Sequence, residues 1–116
     1  KYGEKLMGGW YKKTRNNDWV AGNFVDKDVM DLYQKPVDGL QKVDFIGIGC
    51  SMIHRDVLEK LEWRTAIDEY VKDKLGKVYY VGDCLSYCLD AAKLGFSSYM
   101  VGDIVCQHIP MAKKYS

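Results

Sequence analysis

Two side chains in this sequence combine reactivity with a suggestive position. Asp83 begins a stretch of helical periodicity, where a carboxylate can point into a cleft and accept a proton from a hydroxyl group. Aspartate is also a common N-cap residue, so the position has a structural interpretation too. His108 follows an apolar, strand-like run, and a neutral imidazole there can bind a divalent ion or be bonded within a core.

The cysteines are a second source of chemistry. The chain has four of them, Cys50, Cys84, Cys88 and Cys106, without any C-x-x-C pair, so the usual spacing of a structural zinc site is absent. Free cysteine is among the most buried residue types, and reduced thiols are normal in the cytoplasm. We therefore expect buried free thiols in a cytoplasmic protein, with a disulfide or a metal cluster as the alternative.

Glycines and aromatic residues are candidates for ligand contact. Gly47 and Gly49 end an apolar run, where they either let the backbone approach a ligand or simply shape a turn. Trp10, Tyr11 and Trp63 could stack on a sugar ring, although most aromatic residues of a small domain belong to its core.

Charged residues near these stretches have two interpretations as well. His54 and Arg55 follow the Gly47–Gly49 run, and they either face an anionic ligand or form a solvated rim. Asp26 and Asp28 form a D-x-D pattern, which could bind a metal ion. We interpret this pattern as a polar turn or a helix start.

Hydrophobic periodicity and turn residues predict the elements that must position these side chains. Strands are predicted at 5–13, 42–49 with a continuation through 51–53, 78–81, 97–101 and 104–109, the last two around a Gly102-Asp103 turn. Helices are predicted at 25–33, 55–61, 66–75 and 83–94. The spacing of Leu85, Cys88, Leu89 and Ala92 predicts that the last helix packs on a sheet containing Phe45 and Ile46. The mixture indicates an α/β or α+β fold.

Composition restricts the class of protein. The chain has 116 residues, a net charge of +1, 47% hydrophobic and 28% charged residues, which is typical of one globular unit spanning 1–116. The near-zero charge argues against a nucleic-acid partner. No apolar run approaches the ~20 residues of a membrane span.

Four stretches, read in order, resemble the C-terminal half of a family-two-like, inverting glycosyltransferase domain of the GT-A fold. They are GGWYKK at 8–13, VDFIGIGCSMIHRDVLEKL at 43–61, GDCLSYCLDAAKLGF at 82–96 and VGDIVCQHI at 101–109. The resemblance covers about 100 of the 116 residues. No single motif is specific, and the signal lies in their order and spacing.

The resemblance implies a fragment of an α/β, nucleotide-diphospho-sugar transferase-like domain, with a mixed sheet and packed helices. The parent enzyme would transfer a sugar from a nucleoside-diphosphate donor to a carbohydrate or other hydroxyl acceptor, assisted by Mn²⁺ or Mg²⁺. Asp83 would be the catalytic base and His108 a metal ligand. The implied substrate-binding residues are Gly9, Trp10, Tyr11, Gly47, Gly49, Cys50 and Arg55.

The sequence departs from the family pattern at two points. Gly82-Asp83-Cys84 replaces a Gly-Glu-Asp motif, so a thiol stands where the second carboxylate belongs. The expected D-x-D pair of the nucleotide-binding half would precede Gly8, so the chain is expected to supply the acceptor side and to be inactive alone. A non-catalytic binding or structural module that keeps the fold is the main alternative. A nucleic-acid-binding domain and a cysteine-rich metal module are others. An exposed edge of a half sheet would allow self-association.

Overall fold

Strands dominate the part of the chain that the structure, a computed structural model, describes: residues 4–12, 18–64 and 69–107. The strands are β1 (Leu6–Trp10), β2 (Ala21–Asp26), β3 (Val29–Leu32), β4 (Leu40–Val43), β5 (Phe45–Ile46), β6 (Ser51–Ile53), β7 (Tyr70–Lys72), β8 (Val78–Tyr80) and β9 (Ser98–Val105). The α-helices are α1 (Arg55–Lys60) and α2 (Asp83–Lys93), and a 3-10 turn covers Ile48–Cys50. The chain is thus an α/β domain with mixed sheets.

The strands form two sheets. A four-stranded sheet has the order β4-β9-β1-β6, and a five-stranded sheet has the order β5-β2-β3-β7-β8. In the first sheet, β1 pairs in parallel with β9 and antiparallel with β6. All five residues of β1 are buried, because β1 has a neighbour on both sides and packs against the second sheet through Ile46 and Tyr33.

Helix α2 packs against β5, as its periodicity predicts. Leu85 and Cys88 are buried, and the Cys88 sulfur lies 3.7 Å from the Ile46 carbonyl oxygen. Leu89 is half-buried against the core. Ala92, however, is exposed, and the prediction that it is buried was wrong. The buried residue on this turn is Ala91, so the apolar face is rotated by one residue at the end of the helix.

The end of α2 also agrees with its sequence. Gly95 has a φ of +89°, which is the left-handed conformation in which glycine commonly ends a helix. Helix α1 was likewise predicted, and Val57 is its buried residue. Leu58 was expected to face inward, but it is 48% exposed.

Two predicted helices are wrong. Residues 25–33 form parts of β2 and β3, which pair antiparallel through a tight turn at Lys27 and Asp28. The predicted helix at 66–75 is replaced by β7 and a turn, while residues 65–68 lie outside the described part. In that turn, the Asp73 carboxylate accepts hydrogen bonds from the backbone N–H groups of Leu75 and Lys77 at 2.9 and 2.8 Å. Long-range strand pairing thus overrides weak helical periodicity.

The sequence predicted a turn at Gly102-Asp103 between two strands, but in the structure one continuous strand, β9, runs through both residues. Gly9 pairs with Val101, but the next residue, Trp10, pairs with Val105, so β9 carries extra residues between them. Gly102 is packed tightly, because a Cβ there would overlap the Val37 carbonyl oxygen. The glycine therefore marks a bulge rather than a turn.

The two helices of the described residues are both too short and too polar to cross a bilayer.

Candidate functional site

Tyr11 lies at the centre of the residues that the structure brings together. It follows β1, and its hydroxyl oxygen accepts a hydrogen bond from the Gly49 backbone N–H at 3.2 Å. A Cβ at Gly47 would overlap that hydroxyl group, and a Cβ at Gly49 would lie 3.0 Å from it. The phenol ring that packs across the 3-10 turn therefore excludes a side chain at Gly47 and leaves little space for one at Gly49.

The beginning of α2 borders the same ring. Gly82 is the N-cap residue of α2, and Asp83 is exposed in the first turn. The Asp83 carboxylate accepts a hydrogen bond from the Cys84 N–H at 2.9 Å. Asp83 is close enough to Tyr11 for its charge to act on the phenol group. We call this site the Tyr11 corner, made of Tyr11, Gly47, Gly49, Cys50, Asp83 and Cys84.

The Tyr11 corner holds a neutral phenol. Burial raises the pKa of Tyr11, the hydrogen bond from Gly49 lowers it, and negative charge at Cys84, Cys50 and Asp83 raises it further. The phenol group therefore keeps its proton at neutral pH. Its surroundings combine a hydroxyl group, a carboxylate and two thiol groups at one edge of the molecule, which suits hydrogen bonding to a polar ligand such as a saccharide.

Cys50 connects the corner to β1. A Cβ at Gly9 would lie only 2.7 Å from the Cys50 sulfur. Cys106, just beyond β9, donates its backbone N–H to the Trp10 carbonyl oxygen at 2.6 Å. The sulfur atoms of Cys50 and Cys106 are 2.6 Å apart. Gly9 is thus a packing residue for these thiols.

Trp10 does not contribute to a binding surface, contrary to the sequence-based prediction. Its side chain is completely buried, with its ring edge-on to Trp19 and Tyr33 at centroid distances of 6.2 and 5.2 Å. In a strand, successive side chains point to opposite faces, so Trp10 faces the core between the sheets. Trp63 is half-exposed, and its ring stacks on the Tyr87 ring at a centroid distance of 4.0 Å. This ring contact does not involve the Tyr11 corner.

Arg55 is also separate from the corner. The His54 backbone N–H donates to the Lys5 carbonyl oxygen at 2.8 Å, which places the start of α1 beside the beginning of β1. Tyr11 follows the other end of β1, about 20 Å away along the strand. His54 itself caps α1, since its Nδ1 accepts a hydrogen bond from the Asp56 N–H at 3.0 Å. Arg55 thus belongs to an exposed rim.

The metal-ligand prediction for His108 falls outside the described residues and stays a prediction. Among residues 4–12, 18–64 and 69–107, no group of three or more His, Cys, Asp or Glu side chains is arranged to hold a metal ion.

The Asp26-x-Asp28 pattern is a polar turn, as interpreted from the sequence. Asp26 accepts a hydrogen bond from the Lys27 N–H at 2.7 Å. Both aspartates line an open groove of about 550 Å³ between the β2–β3 turn, β7 and α2. This groove does not include any residue of the Tyr11 corner.

Sequence reasoning missed one feature of the site. Cys106 was not assigned a role, because it is 56 residues from Cys50 and no local pattern links the two. Cys84 was expected to be a buried thiol and to replace a carboxylate of the family motif, and the structure packs it half-buried against the core. Comparison with protein-family models, with curated proteins and with solved structures finds no significant match to this chain.

Proposed function

We propose that this chain is the acceptor-side part of a GT-A-like, inverting glycosyltransferase, in which Asp83 removes the proton from the acceptor hydroxyl group. The observation that supports this proposal is that the Tyr11 hydroxyl group contacts the Gly47–Gly49 turn while the charge of Asp83 acts on the same phenol group. These residues come from three of the four stretches that carry the family resemblance. Their adjacency is expected if those stretches border one acceptor cleft.

In this proposal, each group of the corner has a chemical role. The exposed carboxylate of Asp83 accepts the proton as the acceptor oxygen attacks the anomeric carbon of the donor sugar. Tyr11 is a neutral phenol and orients the acceptor by hydrogen bonding. Gly47 and Gly49 leave the space that the Tyr11 ring occupies and so fix the position of its hydroxyl group. Divalent-metal assistance stays a prediction, and no role described here depends on it.

The test is a transfer assay on the full-length protein with a panel of nucleoside-diphosphate sugars, Mn²⁺ and mixed saccharide acceptors. Asp83→Asn should lower kcat by at least about 100-fold, since general-base catalysis contributes that much or more. Glu59→Gln, which removes an exposed carboxylate from α1, is the matched control and should leave kcat unchanged. Transfer that survives in Asp83→Asn would contradict the assignment of the base.

A non-catalytic saccharide-binding module is the second candidate. It is favoured by Cys84, because a half-buried thiol that packs on the core cannot replace the second carboxylate of the family motif. Titrating the 116-residue chain with the same saccharides and following the Gly49 amide signal by NMR distinguishes the two. Shifts of that signal without transfer in the full-length protein would indicate the binding module. If the titration does not shift the Gly49 signal and the full-length protein shows no transfer, both candidates are contradicted.

We also propose self-association through β6. This strand is at the edge of the four-stranded sheet, and Met52 on it is 69% exposed. An unprotected edge strand can pair with a second copy of the same strand.

A further inference from the structure

The Cys50 and Cys106 thiols are close neighbours in the fold although they are far apart in sequence. Their sulfur atoms are 2.6 Å apart, and both side chains are half-buried. They approach from opposite sides of β1, because β6, which follows Cys50, and β9, which precedes Cys106, are the two neighbours of that strand.

Independent contacts hold each thiol in place. The backbone of Cys106 is hydrogen-bonded to Trp10, and Cys50 ends the 3-10 turn whose Gly49 N–H donates to the Tyr11 hydroxyl oxygen. Gly9 leaves the space in which Cys50 lies, since a Cβ there would be 2.7 Å from both the Cys50 sulfur and the Ile104 side chain. The pairing therefore results from the β-sheet register and from one glycine, and not from chance contact of two flexible side chains.

We propose that Cys50 and Cys106 form a reversible disulfide, and that a low-molecular-weight disulfide such as oxidised glutathione is the co-reactant. A thiolate of the pair attacks a glutathione sulfur, and one glutathione leaves as a thiol. The second cysteine then displaces the other glutathione from the mixed disulfide. In sum, two protein thiols and one oxidised glutathione give one protein disulfide and two reduced glutathiones.

This bond would join the end of β9 to the 3-10 turn that carries Gly49. Cys50 would then be unavailable as a ligand-contacting thiol, while Tyr11 and Asp83 would keep their positions. In a compartment whose glutathione pool is reduced, the pair would remain a dithiol, and in an oxidising one it would be a structural link. The inference does not depend on the proposed transferase function.

Peptide mapping gives a direct test, because trypsin separates the cysteines. Cys50 lies in the peptide 43–55, Cys106 in 94–113, and Cys84 and Cys88 together in 78–93. The protein is equilibrated in glutathione buffers, quenched with acid, alkylated and analysed by mass spectrometry. We expect peptide 43–55 to be joined to 94–113, with two alkylated cysteines in 78–93. Four alkylated cysteines in oxidised glutathione, or a bond to 78–93, would overturn the proposal.

The equilibrium shows whether the fold is responsible. We expect the glutathione equilibrium constant for forming this disulfide to be at least about tenfold larger in native buffer than in 8 M urea, where the ends of a long loop seldom meet. Equal constants would overturn the proposal. Cys84→Ser should keep the bond, and Cys106→Ser should abolish it.

A glycine substitution tests the geometry without removing a thiol. Gly9→Ala should lower the native equilibrium constant by at least about tenfold, because the added methyl group displaces Cys50. Gly82→Ala, where a Cβ would have no atom within 4 Å, is the matched control and should leave the constant unchanged. If Gly9→Ala does not fold, the comparison of native buffer with urea in the unmodified protein still decides the matter.

Discussion

At the scale of single residues, the most constrained part of the molecule is the contact between Tyr11 and the Gly47–Gly49 turn. The glycines leave room for a half-buried phenol group that itself receives a hydrogen bond from the Gly49 backbone. The same glycines were expected from the sequence either to approach a ligand or to shape a turn. The structure shows that their nearest neighbour is an aromatic side chain of the protein.

Gly47→Ala should destabilise the protein by about 1 to 3 kcal/mol, the usual cost of forcing an extra methyl group into a packed site. The new Cβ would overlap the Tyr11 hydroxyl group and lie 2.5 Å from a Val20 methyl carbon. The free energy of unfolding in urea measures the effect.

Gly8→Ala is the matched control for this substitution. Its nearest atom would be the Ile46 Cβ at 3.2 Å, so a small shift accommodates it. A gain of about 0.5 to 1 kcal/mol from replacing a strand glycine offsets the strain. Equal destabilisation by the two substitutions would show that Tyr11 does not occupy the space beside Gly47.

At the scale of elements, α2 is attached to the segment after α1 by an ion pair. Arg64 donates two hydrogen bonds to the Asp90 carboxylate, from Nε at 2.8 Å and from Nη2 at 3.0 Å. The side chains are 38% and 19% exposed, so solvent weakens the interaction, but its two-point geometry favours a measurable contribution. The bonds orient α2, whose first turn carries Asp83.

Asp90→Asn should reduce stability by about 0.5 to 1 kcal/mol at pH 7. The Arg64 guanidinium holds the pKa of Asp90 below its ordinary value, mainly through the hydrogen bond and against a smaller effect of burial. A carboxyl group with a lowered folded-state pKa stabilises the fold above its unfolded pKa, and this contribution is lost as pH falls through the folded pKa. The difference between the two proteins should therefore disappear in acid.

Urea denaturation at several pH values measures this difference. Glu62→Gln, which neutralises an exposed carboxylate near Arg64 in sequence, is the control and should follow the unmodified protein throughout. A constant difference between Asp90→Asn and the unmodified protein from neutral to acid pH would mean that the loss does not come from the ion pair.

At the scale of the whole molecule, one sheet edge and one thiol pair are expected to decide how the chain behaves. The β6 edge is short but apolar at Met52, and such an edge has little protection against pairing with another copy. The thiol pair, by contrast, would close a loop within one chain. Both features depend on β1, which pairs with β6 and β9.

Sedimentation measurements should detect a concentration-dependent dimer. Met52→Lys should weaken that association by at least about tenfold, because charge on an edge strand opposes pairing. Leu75→Lys removes an apolar side chain that is 94% exposed in the turn before β8, and as a control it should leave the association constant unchanged. A monomer at all concentrations would exclude pairing through β6.

Local signals alone determined several elements of this protein. The apolar run at 42–49 predicted one strand, but the structure divides it between β4, β5 and the 3-10 turn Ile48–Cys50, because β4 and β5 pair in different sheets. The i, i+3, i+4 spacing from Leu85 and the glycine at 95 predicted α2 and its end. These signals lie within one or two turns of chain, where periodicity and turn chemistry act directly. The expectation that Asp83 lies close to the Gly47–Gly49 turn came only from the family resemblance, and it stays a prediction.

The tertiary structure decided the rest, because the deciding contacts form between strands, and several of them join residues far apart in the chain. Pairing of β2 with β3 overrode the weak helical pattern at 25–33, and the extra residues in β9 kept one strand continuous through Gly102. Trp10 is buried in the core because β1 pairs with strands on both sides and packs against the second sheet. The local sequence of β1 does not indicate this central position. Cys50 and Cys106 meet for the same reason: their distance is fixed by sheet register and by the missing side chain of Gly9, and neither is a property of the cysteines themselves.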